Sequence, residues 1–199
     1  MDIDFVITWV DMDDPKWQSE FAKYSGRKEN EKNGVSDARF RDYGFLKYWF
    51  RGVEKFAPWV RKIHFVTSGQ KPEWLDENNP KINLVNHKDY IPEQFLPTYN
   101  SVVIERYLHK IPGLADRFVY FNDDCFVINH VNQKEYFLNG KPRDILAFQP
   151  VVANPKNPVM SHIYMNNSVT LCKYFNKREN VKQHPGNYFK PGYPLLYFF

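Results

Sequence analysis

Two kinds of hydrophobic pattern alternate along residues 1–130, one typical of buried strands and one typical of amphipathic helices. The first, over 3–10, is β-branched and aromatic apart from Asp4 and has no breaker, and it predicts a buried strand that ends at the sequence DMDDP. Later runs of the same kind predict further strands, in the sequences KIHFVTSG, KINLVNH, RFVYFNDD and DILAFQP. The sequence PEWL, between the second and third strands, predicts a single helical turn.

Helical spacing appears in two segments, each followed by a residue that stops helices. Between residues 46 and 57 the apolar side chains recur at i, i+3, i+4, i+7 and i+11, and Pro58 then ends the predicted helix. These apolar positions are Leu46, Trp49, Phe50, Val53 and Ala57. A second amphipathic helix is predicted from Ser101 to Ile111, with Gly113 just past its end.

The predicted order of elements, β-α-β-β-α-β-β, is typical of an α/β fold with a mostly parallel sheet flanked by helices. We expect this core to occupy residues 1–150. Residues 151–199 have five prolines and no long period, so we interpret them as a connector. Because a folded domain rarely ends on an exposed aromatic cluster, the final GYPLLYFF leads us to expect that the natural fold continues past Phe199 or that the tail packs on a neighbour.

Composition excludes several classes of protein. With 43% hydrophobic and 25% charged residues, the 199-residue chain is expected to fold rather than stay disordered. The net charge of +4 comes without a long Lys/Arg run, which argues against nucleic acid as a partner. Two cysteines do not make a disulfide framework or a zinc site. No apolar run approaches the roughly 18 residues of a membrane span, and the N-terminus is not typical of a signal peptide, so we expect a cytoplasmic protein.

Acidic residues follow the first and the fourth predicted strands. If both strands are parallel members of one sheet, their ends lie at the carboxyl edge, where open α/β folds bind ligands. Carboxylates that meet there indicate a site for Mg²⁺, Mn²⁺ or Ca²⁺, whereas taken singly each cluster is equally typical of a turn. The spacing does not match an EF-hand loop. The polar residues concerned are Asp11, Asp13, Asp14, Asn122, Asp123 and Asp124.

Two arginines and an aspartate directly precede the first predicted helix, in the sequence ARFRDYG. A helix N-terminus favours an anion, and the arginine side chain binds phosphate through two hydrogen bonds, so Arg39 and Arg41 are candidates for contact with a phosphate. Asp42 is a candidate for substrate contact or simply the N-cap. Either arginine is equally well explained as a solvated loop charge.

Small polar residues begin the second predicted helix, in the sequence LPTYNSVVIER. Thr98, Asn100 and Ser101 are typical helix caps, and they are also suited to hold a sugar hydroxyl or a phosphate. Glu105, one turn further on, is a candidate general base or ligand, although a surface glutamate is common in helices. Among the scattered histidines, only His162 lies in a polar context that suggests an active site.

Together these motifs resemble those of the Stealth family. The sequence IDFVITWVDMDDP is similar to the first conserved block of that family, and the stretch from RFRDYGFLKYWF through FLPTYNS to FVYFNDDCFVI is similar to its long second block. The resemblance covers residues 1–130. The third and fourth blocks of the family are not recognisable, so we expect this chain to be an N-terminal portion.

The resemblance implies a transferase that moves a hexose-1-phosphate from a UDP-sugar donor to a hydroxyl of a polysaccharide acceptor and releases UMP, as in capsule or exopolysaccharide synthesis. It also implies a fold similar to the nucleotide-sugar glycosyltransferases of the A type, in which an Asp-x-Asp-like element holds a divalent ion. Here Asn122, Asp123 and Asp124 would take that place, with Asp11 and Asp14 nearby and Mg²⁺ or Mn²⁺ as the cofactor.

The implied reaction also needs an arginine and a base. Arg39 or Arg41 would lie near the phosphoryl oxygens, and the base would be one of Asp11, Glu105 and His162. Peripheral association with membrane-bound polysaccharide machinery would fit this role. Two alternatives stay open: an inactive remnant that binds a nucleotide sugar, and a metal-dependent hexosyltransferase that attacks the anomeric carbon.

Overall fold

The computed structural model describes residues 1–25, 43–144 and 158–188. The chain divides into two compact units, Met1–Pro142 and Arg143–Phe199. Three residues of the predicted phosphate contact, Arg39, Arg41 and Asp42, lie outside the described ranges. So does the predicted strand DILAFQP, apart from its first residue.

A parallel sheet forms the centre of the first unit. Its four strands are β1 (Asp4–Thr8), β2 (Ile63–Thr67), β3 (Ile82–Asn86) and β4 (Phe118–Phe121), in the spatial order β3-β2-β1-β4. Every neighbouring pair is parallel. The predictions of these strands and of an α/β fold with a mostly parallel sheet are confirmed, and β1 is a central strand.

A small antiparallel hairpin follows the sheet. Its strands are β5 (Phe137–Leu138) and β6 (Lys141–Pro142). Both turn residues have a positive φ, 52° at Asn139 and 77° at Gly140, as a type I′ turn requires. This hairpin was not predicted, although Asn-Gly is a typical signal for it.

Helices flank the sheet, and one predicted helix is longer than the observed one. The predicted first helix is confirmed, whereas the predicted second helix ends at Arg106 and is followed by a 3₁₀ turn over Leu108–Lys110. The sequence PEWL forms one hydrogen-bonded turn, from the Leu75 amide to the Pro72 carbonyl, and no helix. The helices of the first unit are α1 (Pro15–Ser25), α2 (Leu46–Phe56), α3 (Ser101–Arg106) and α4 (Gln133–Tyr136).

The second unit is helical where it is described. It contains α5 (Val159–Tyr174), α6 (Lys177–Gln183) and α7 (Pro185–Tyr188). Asn176 caps α6, because its side-chain oxygen accepts hydrogen bonds from the amides of Arg178 and Glu179. These helices were not predicted, since the segment lacks an apolar stripe. Within residues 1–25, 43–144 and 158–188 no helix combines the length and the apolar character that a membrane crossing requires.

The sheet buries side chains on both faces. Phe5 and Ile7 point to the face covered by α2, where they pack with Trp49 and Phe65. Val6 points to the opposite face and belongs to a second cluster. Because alternate residues of β1 are buried on both sides, its central residues, Phe5, Val6 and Ile7, are continuously apolar rather than alternating with polar ones.

Helix α2 lies close to the backbone that follows β4. A Cβ atom added at Gly52 would lie 2.6 Å from the carbonyl oxygen of Val127, which is closer than van der Waals contact permits. The glycine is therefore required by close approach rather than by backbone conformation. It allows α2 to pack directly against the segment just after the acidic end of β4.

A buried carboxylate joins three strands at the amino edge of the sheet. Asp4 is completely buried and accepts hydrogen bonds from Arg61 Nε at 2.9 Å and from Arg61 Nη2. It also accepts from the Ala115 amide at 2.8 Å and lies 2.9 Å from His64 Nε2. Burial alone would raise the pKa of Asp4, but these donors outweigh it and hold the pKa below its usual value. Asp4 is therefore ionised, and its charge is compensated by Arg61.

The imidazole of His64 is the second member of this network and is neutral. The Asn83 side-chain amide donates to His64 Nδ1 at 2.9 Å, so the ring proton lies on Nε2 and is donated to Asp4. Burial lowers the pKa of His64, and the nearby Asp4 carboxylate only partly opposes this. The chain of hydrogen bonds thus links β1, β2 and β3 through side chains as well as through the backbone.

We predict that acid weakens this amino-edge network. Asp4 and His64 both have folded pKa values below their ordinary ones, so the unfolded chain takes up protons first as the pH falls. The free energy of unfolding should therefore decrease from about pH 6.5 downward because of His64, and further below about pH 4 because of Asp4. Urea denaturation over a pH series measures this.

A matched pair of variants separates Asp4 from general acid effects. Asp4→Asn should lower the free energy of unfolding by about 3 kcal/mol or more at pH 7, because Arg61 and His64 lose the carboxylate. Asp2→Asn, at an exposed neighbouring position, should change it by less than about 0.5 kcal/mol. Equal stability of the two variants would contradict the assigned role of Asp4.

Candidate functional site

The ends of all four parallel strands contribute to one cleft at the carboxyl edge of the sheet. Thr8 and Trp9 come from the end of β1, Ser68 directly follows β2, and His87 directly follows β3. Asp123, after β4, and Ser101, the first residue of α3, complete the wall. The cleft has a volume of about 160 Å³. Open parallel sheets bind their ligands at this edge, so this cleft is the candidate site.

Helix α1 closes one side of the cleft with aromatic side chains. Trp17 is nearly buried and stacks on Phe21, with ring centroids 5.0 Å apart. Both rings pack edge-on against Tyr99, at 5.6 and 5.1 Å. Trp17 and Tyr99 both line the cleft. The aromatic contacts therefore fix α1 against the loop that precedes α3.

Gln70 holds the loop that follows β1. Its side chain accepts from the Asp11 amide at 2.9 Å and donates to the Asp11 carbonyl at 2.6 Å. It also donates to Asp14 Oδ2 at 3.0 Å. One neutral side chain after β2 thus fixes the acidic loop after β1, and sequence reasoning did not identify it.

Asp14 has hydrogen-bond donors on both carboxylate oxygens. Besides the contact with Gln70, Asp14 Oδ1 accepts from the Lys16 amide at 2.9 Å at the start of α1. The hydrogen bond from Gln70, followed by that from Lys16, lowers the pKa of Asp14. Asp11 Oδ1 accepts from the Asp13 amide at 2.9 Å. The DMDDP loop is therefore a hydrogen-bonded turn in which Asp14 caps a helix.

The residues after β4 form an exposed turn beside the cleft. The Cys125 amide donates to the Asn122 carbonyl at 3.1 Å, with Asp123 and Asp124 at the centre of the turn. The Tyr120 hydroxyl lies 3.2 Å from Thr8 Oγ1. Burial raises the pKa of Tyr120, and the negative charges of Glu105 and Asp123 contribute to the increase. Glu105 and Asp123 therefore flank the same phenol at the end of β4.

The carboxylates after β4 fit a divalent cation only in part. In the ranges 1–25, 43–144 and 158–188, no three side chains of His, Cys, Asp or Glu are grouped as a metal site. Asp123 and Asp124 are adjacent and exposed, and offer two carboxylates. Mg²⁺ is usually bound by one or two carboxylates together with substrate phosphates, so this pair fits a cation that a phosphate ligand helps to hold.

Residues at the start of α3 act as caps and also face the cleft. Asn100 is the N-cap, since its Oδ1 accepts from the Val102 amide at 3.0 Å. Thr98 Oγ1 accepts from the Asn100 amide at 3.3 Å. Thr98 and Ser101 line the cleft as well. Capping and ligand contact, which the sequence left as alternatives, are thus compatible for this segment.

His162 lies apart from these residues in the chain. It belongs to α5 in the second unit and is exposed.

His87 is a residue of the cleft wall that the sequence analysis did not select. Burial lowers the pKa of His87 to about 4, so its ring is neutral at pH 7. Its position directly after a predicted strand was the signal that could have identified it.

Comparison with known families gives two matches. Residues 39–144 match the conserved region described as Stealth protein CR2, conserved region 2. Residues 1–29 match Stealth protein CR1, conserved region 1. Strands β2, β3 and β4 lie within the first match, and β1 lies within the second.

Curated relatives align with nearly the whole chain. A capsular polysaccharide phosphotransferase WcwK of Streptococcus pneumoniae is 42% identical over 191 residues, which are 96% of this chain and 56% of the relative. An exopolysaccharide phosphotransferase cps2G of Lactiplantibacillus plantarum is 43% identical, over 98% of this chain and 56% of the relative. A capsular polysaccharide phosphotransferase eps5J of Streptococcus thermophilus is 39% identical, over 98% and 81%. The chain thus spans a little over half the length of the first two relatives.

We predict that the Gln70 side chain determines the order of the acidic loop. Gln70→Glu keeps the acceptor for the Asp11 amide but replaces the donor with a carboxylate that faces Asp14 and the Asp11 carbonyl. At pH 7 this variant should lose about 1–3 kcal/mol of stability. Gln70→Ala should lose less, because it introduces no repulsion.

Amide hydrogen exchange tests the local effect. Exchange of the Asp11 amide should accelerate at least tenfold in both variants, whereas the Val66 amide in the middle of β2 should be protected as in the wild type. Unchanged protection at Asp11 in Gln70→Ala would show that other contacts hold the loop.

Proposed function

This chain belongs to the Stealth family, and from that premise we propose that it transfers a sugar-1-phosphate from a UDP-sugar to a hydroxyl of a capsular polysaccharide or exopolysaccharide, with release of UMP. The relatives are named capsular and exopolysaccharide phosphotransferases, which supports the reaction class. The observation that carries the proposal is the position of Asp123 in a cleft at the carboxyl edge of a parallel sheet. This is the edge where an anionic nucleotide ligand is expected.

The proposed cofactor is Mg²⁺ or Mn²⁺, held by Asp123 and Asp124. In this proposal the diphosphate of the donor supplies the remaining oxygen ligands. The cation would neutralise negative charge on the diphosphate as the phosphoryl group is transferred. Asp14 would have to release either Gln70 or the Lys16 amide in order to join the ligands, so its hydrogen bonds favour a role in shaping the loop.

Neutral polar groups of the cleft are suited to the sugar and the phosphates. Thr8, Ser68 and Ser101 present hydroxyl groups from three different elements. Hydroxyls can donate to phosphate oxygens and accept from sugar hydroxyls, so they can orient the donor without adding charge. Arg39 and Arg41 remain proposed contacts to the phosphoryl oxygens, and Asn122 and Asp42 remain proposed substrate contacts.

Product analysis tests the reaction. The chain is incubated with a UDP-sugar, Mg²⁺ and an acceptor glycan, and the released nucleotide is identified by ion-exchange chromatography. UMP is expected, since attack at the β-phosphorus leaves one phosphate on uridine. Release of UDP would instead show hexosyl transfer, in which the acceptor attacks the anomeric carbon and UDP leaves. Donor binding without turnover would show a nucleotide-sugar-binding remnant.

We predict that Asp124 is needed for metal-dependent donor binding. Asp124→Asn should weaken UDP-sugar binding in the presence of Mg²⁺ at least tenfold, because it removes one of two adjacent carboxylates. Binding without Mg²⁺ should change little. Isothermal titration calorimetry with and without the metal measures both.

Asp116→Asn is the matched control for this variant. Asp116 is exposed and precedes β4, so it lies at the opposite end of the strand from Asp124. Its substitution should leave binding within about twofold of the wild type. Wild-type affinity in Asp124→Asn would rule out the metal role, and unfolding of that variant by circular dichroism would show a structural one.

A further inference from the structure

His87 is held at the carboxyl edge of β3 by a tight local turn. It begins the 3₁₀ turn His87–Asp89, and Asn86 and Asp89 form a capping box around it. The Asn86 amide donates to Asp89 Oδ2 at 2.7 Å, and the Lys88 amide donates to Asn86 Oδ1 at 3.1 Å. These bonds fix the backbone that presents the histidine ring.

The ring of His87 lines the cleft with both nitrogens available. It packs edge-on to Tyr90, with centroids 6.5 Å apart, and lies in the same wall as Ser68 and Asp123. No side chain or backbone group of the described residues is hydrogen-bonded to either ring nitrogen. The side chain is half-buried, so a ligand that enters the cleft can reach the ring and supply a hydrogen-bond partner.

We propose that His87 is a catalytic residue, the base that accepts the proton of the attacking acceptor hydroxyl. This inference rests on the function proposed above and names a residue for it. A neutral imidazole has one nitrogen lone pair, which is the feature that a base requires. Burial keeps the ring neutral at physiological pH, so the lone pair is present before substrate binds.

The proposed step balances without a further reactant. The acceptor oxygen forms a bond to the β-phosphorus of the UDP-sugar while the bond from that phosphorus to the bridging oxygen of UMP breaks. The electron pair of the broken bond stays on UMP. The hydroxyl proton moves to the free nitrogen of His87 and then to water.

Titratable groups lie near His87 in and beside the cleft. The Tyr90 ring packs edge-on against the imidazole, and Tyr99 and Asp123 line the same cleft. Burial raises the pKa of Tyr90 and that of Tyr99, so both phenols are neutral at pH 7. Asp123 and the donor diphosphate would share the proposed cation, so their negative charge is largely compensated.

His87 is better placed for this role than the bases selected from sequence. Glu105 lies near the Tyr120 hydroxyl and is not among the residues that line the cleft, whereas His87 is. Asp11 already accepts the Asp13 amide through its carboxylate.

The test compares His87→Gln with wild type in the UMP-release assay. Glutamine retains a hydrogen-bonding group of similar reach but cannot take up the proton. We expect kcat to fall about 10²–10⁴-fold, while the Kd for the UDP-sugar with Mg²⁺ stays within about threefold. His87→Ala should lose activity to a similar extent and regain part of it when imidazole is added. His109→Gln, at an exposed position, should retain wild-type kcat.

Each result either supports or overturns the proposal. A kcat for folded His87→Gln or His87→Asn within threefold of wild type would overturn it. The proposal would also be overturned if weaker donor binding accounted for the whole loss of activity and imidazole gave no rescue. His87 would then only bind the donor. If the wild type releases no UMP, the proposed transfer is refuted and the base role with it. The wild-type assay alone shows this, before any variant is compared.

Discussion

The carboxylate of Asp4 is completely buried and connects neighbouring segments at the amino edge of the sheet by hydrogen bonds. It lies on the central strand and accepts hydrogen bonds from Arg61 and His64 on one side and from the Ala115 amide on the other. His64 extends the network to β3 through Asn83. A buried charge without these partners would cost several kcal/mol, so the strands must meet in this arrangement for the carboxylate to remain ionised.

The two edges of the sheet differ in the polar groups that they present. At the amino edge, the Asp4 carboxylate accepts hydrogen bonds from Arg61, His64 and the Ala115 amide. At the carboxyl edge, the His87 ring nitrogens have no hydrogen-bond partner among the described residues, and several hydroxyl-bearing residues line a cleft. The same strands therefore provide a fixed support at one end and a binding surface at the other. Gln70 is an exception at the carboxyl edge, because it uses its hydrogen bonds to hold the loop after β1.

Sequence patterns predicted the sheet and its carboxyl edge because these depend on local features. Unbroken apolar runs and strand-end aspartates can be recognised within a few residues. The role of Gln70 depends on contacts with the loop after a neighbouring strand, which sequence spacing does not reveal. His87 has a local signal, its position directly after a predicted strand. Helix α1 lacks a clear apolar stripe, and its buried Trp17 packs on Tyr99, far along the chain. The hairpin at Asn139 and Gly140 had a recognisable local signal that was overlooked.

The strand order has a consequence for the way the protein folds. β1 is synthesised first, yet it lies between β2 and β4, and its Asp4 side chain contacts residues 60 and 111 positions later. Contacts so distant in sequence form slowly, because a long loop must close before they are made. Pairing of β2 with β3, which are neighbours in the chain, is the kinetically easy step. We therefore expect a nascent chain to expose the apolar β1 strand until β4 has left the ribosome, and to depend on chaperones during that interval.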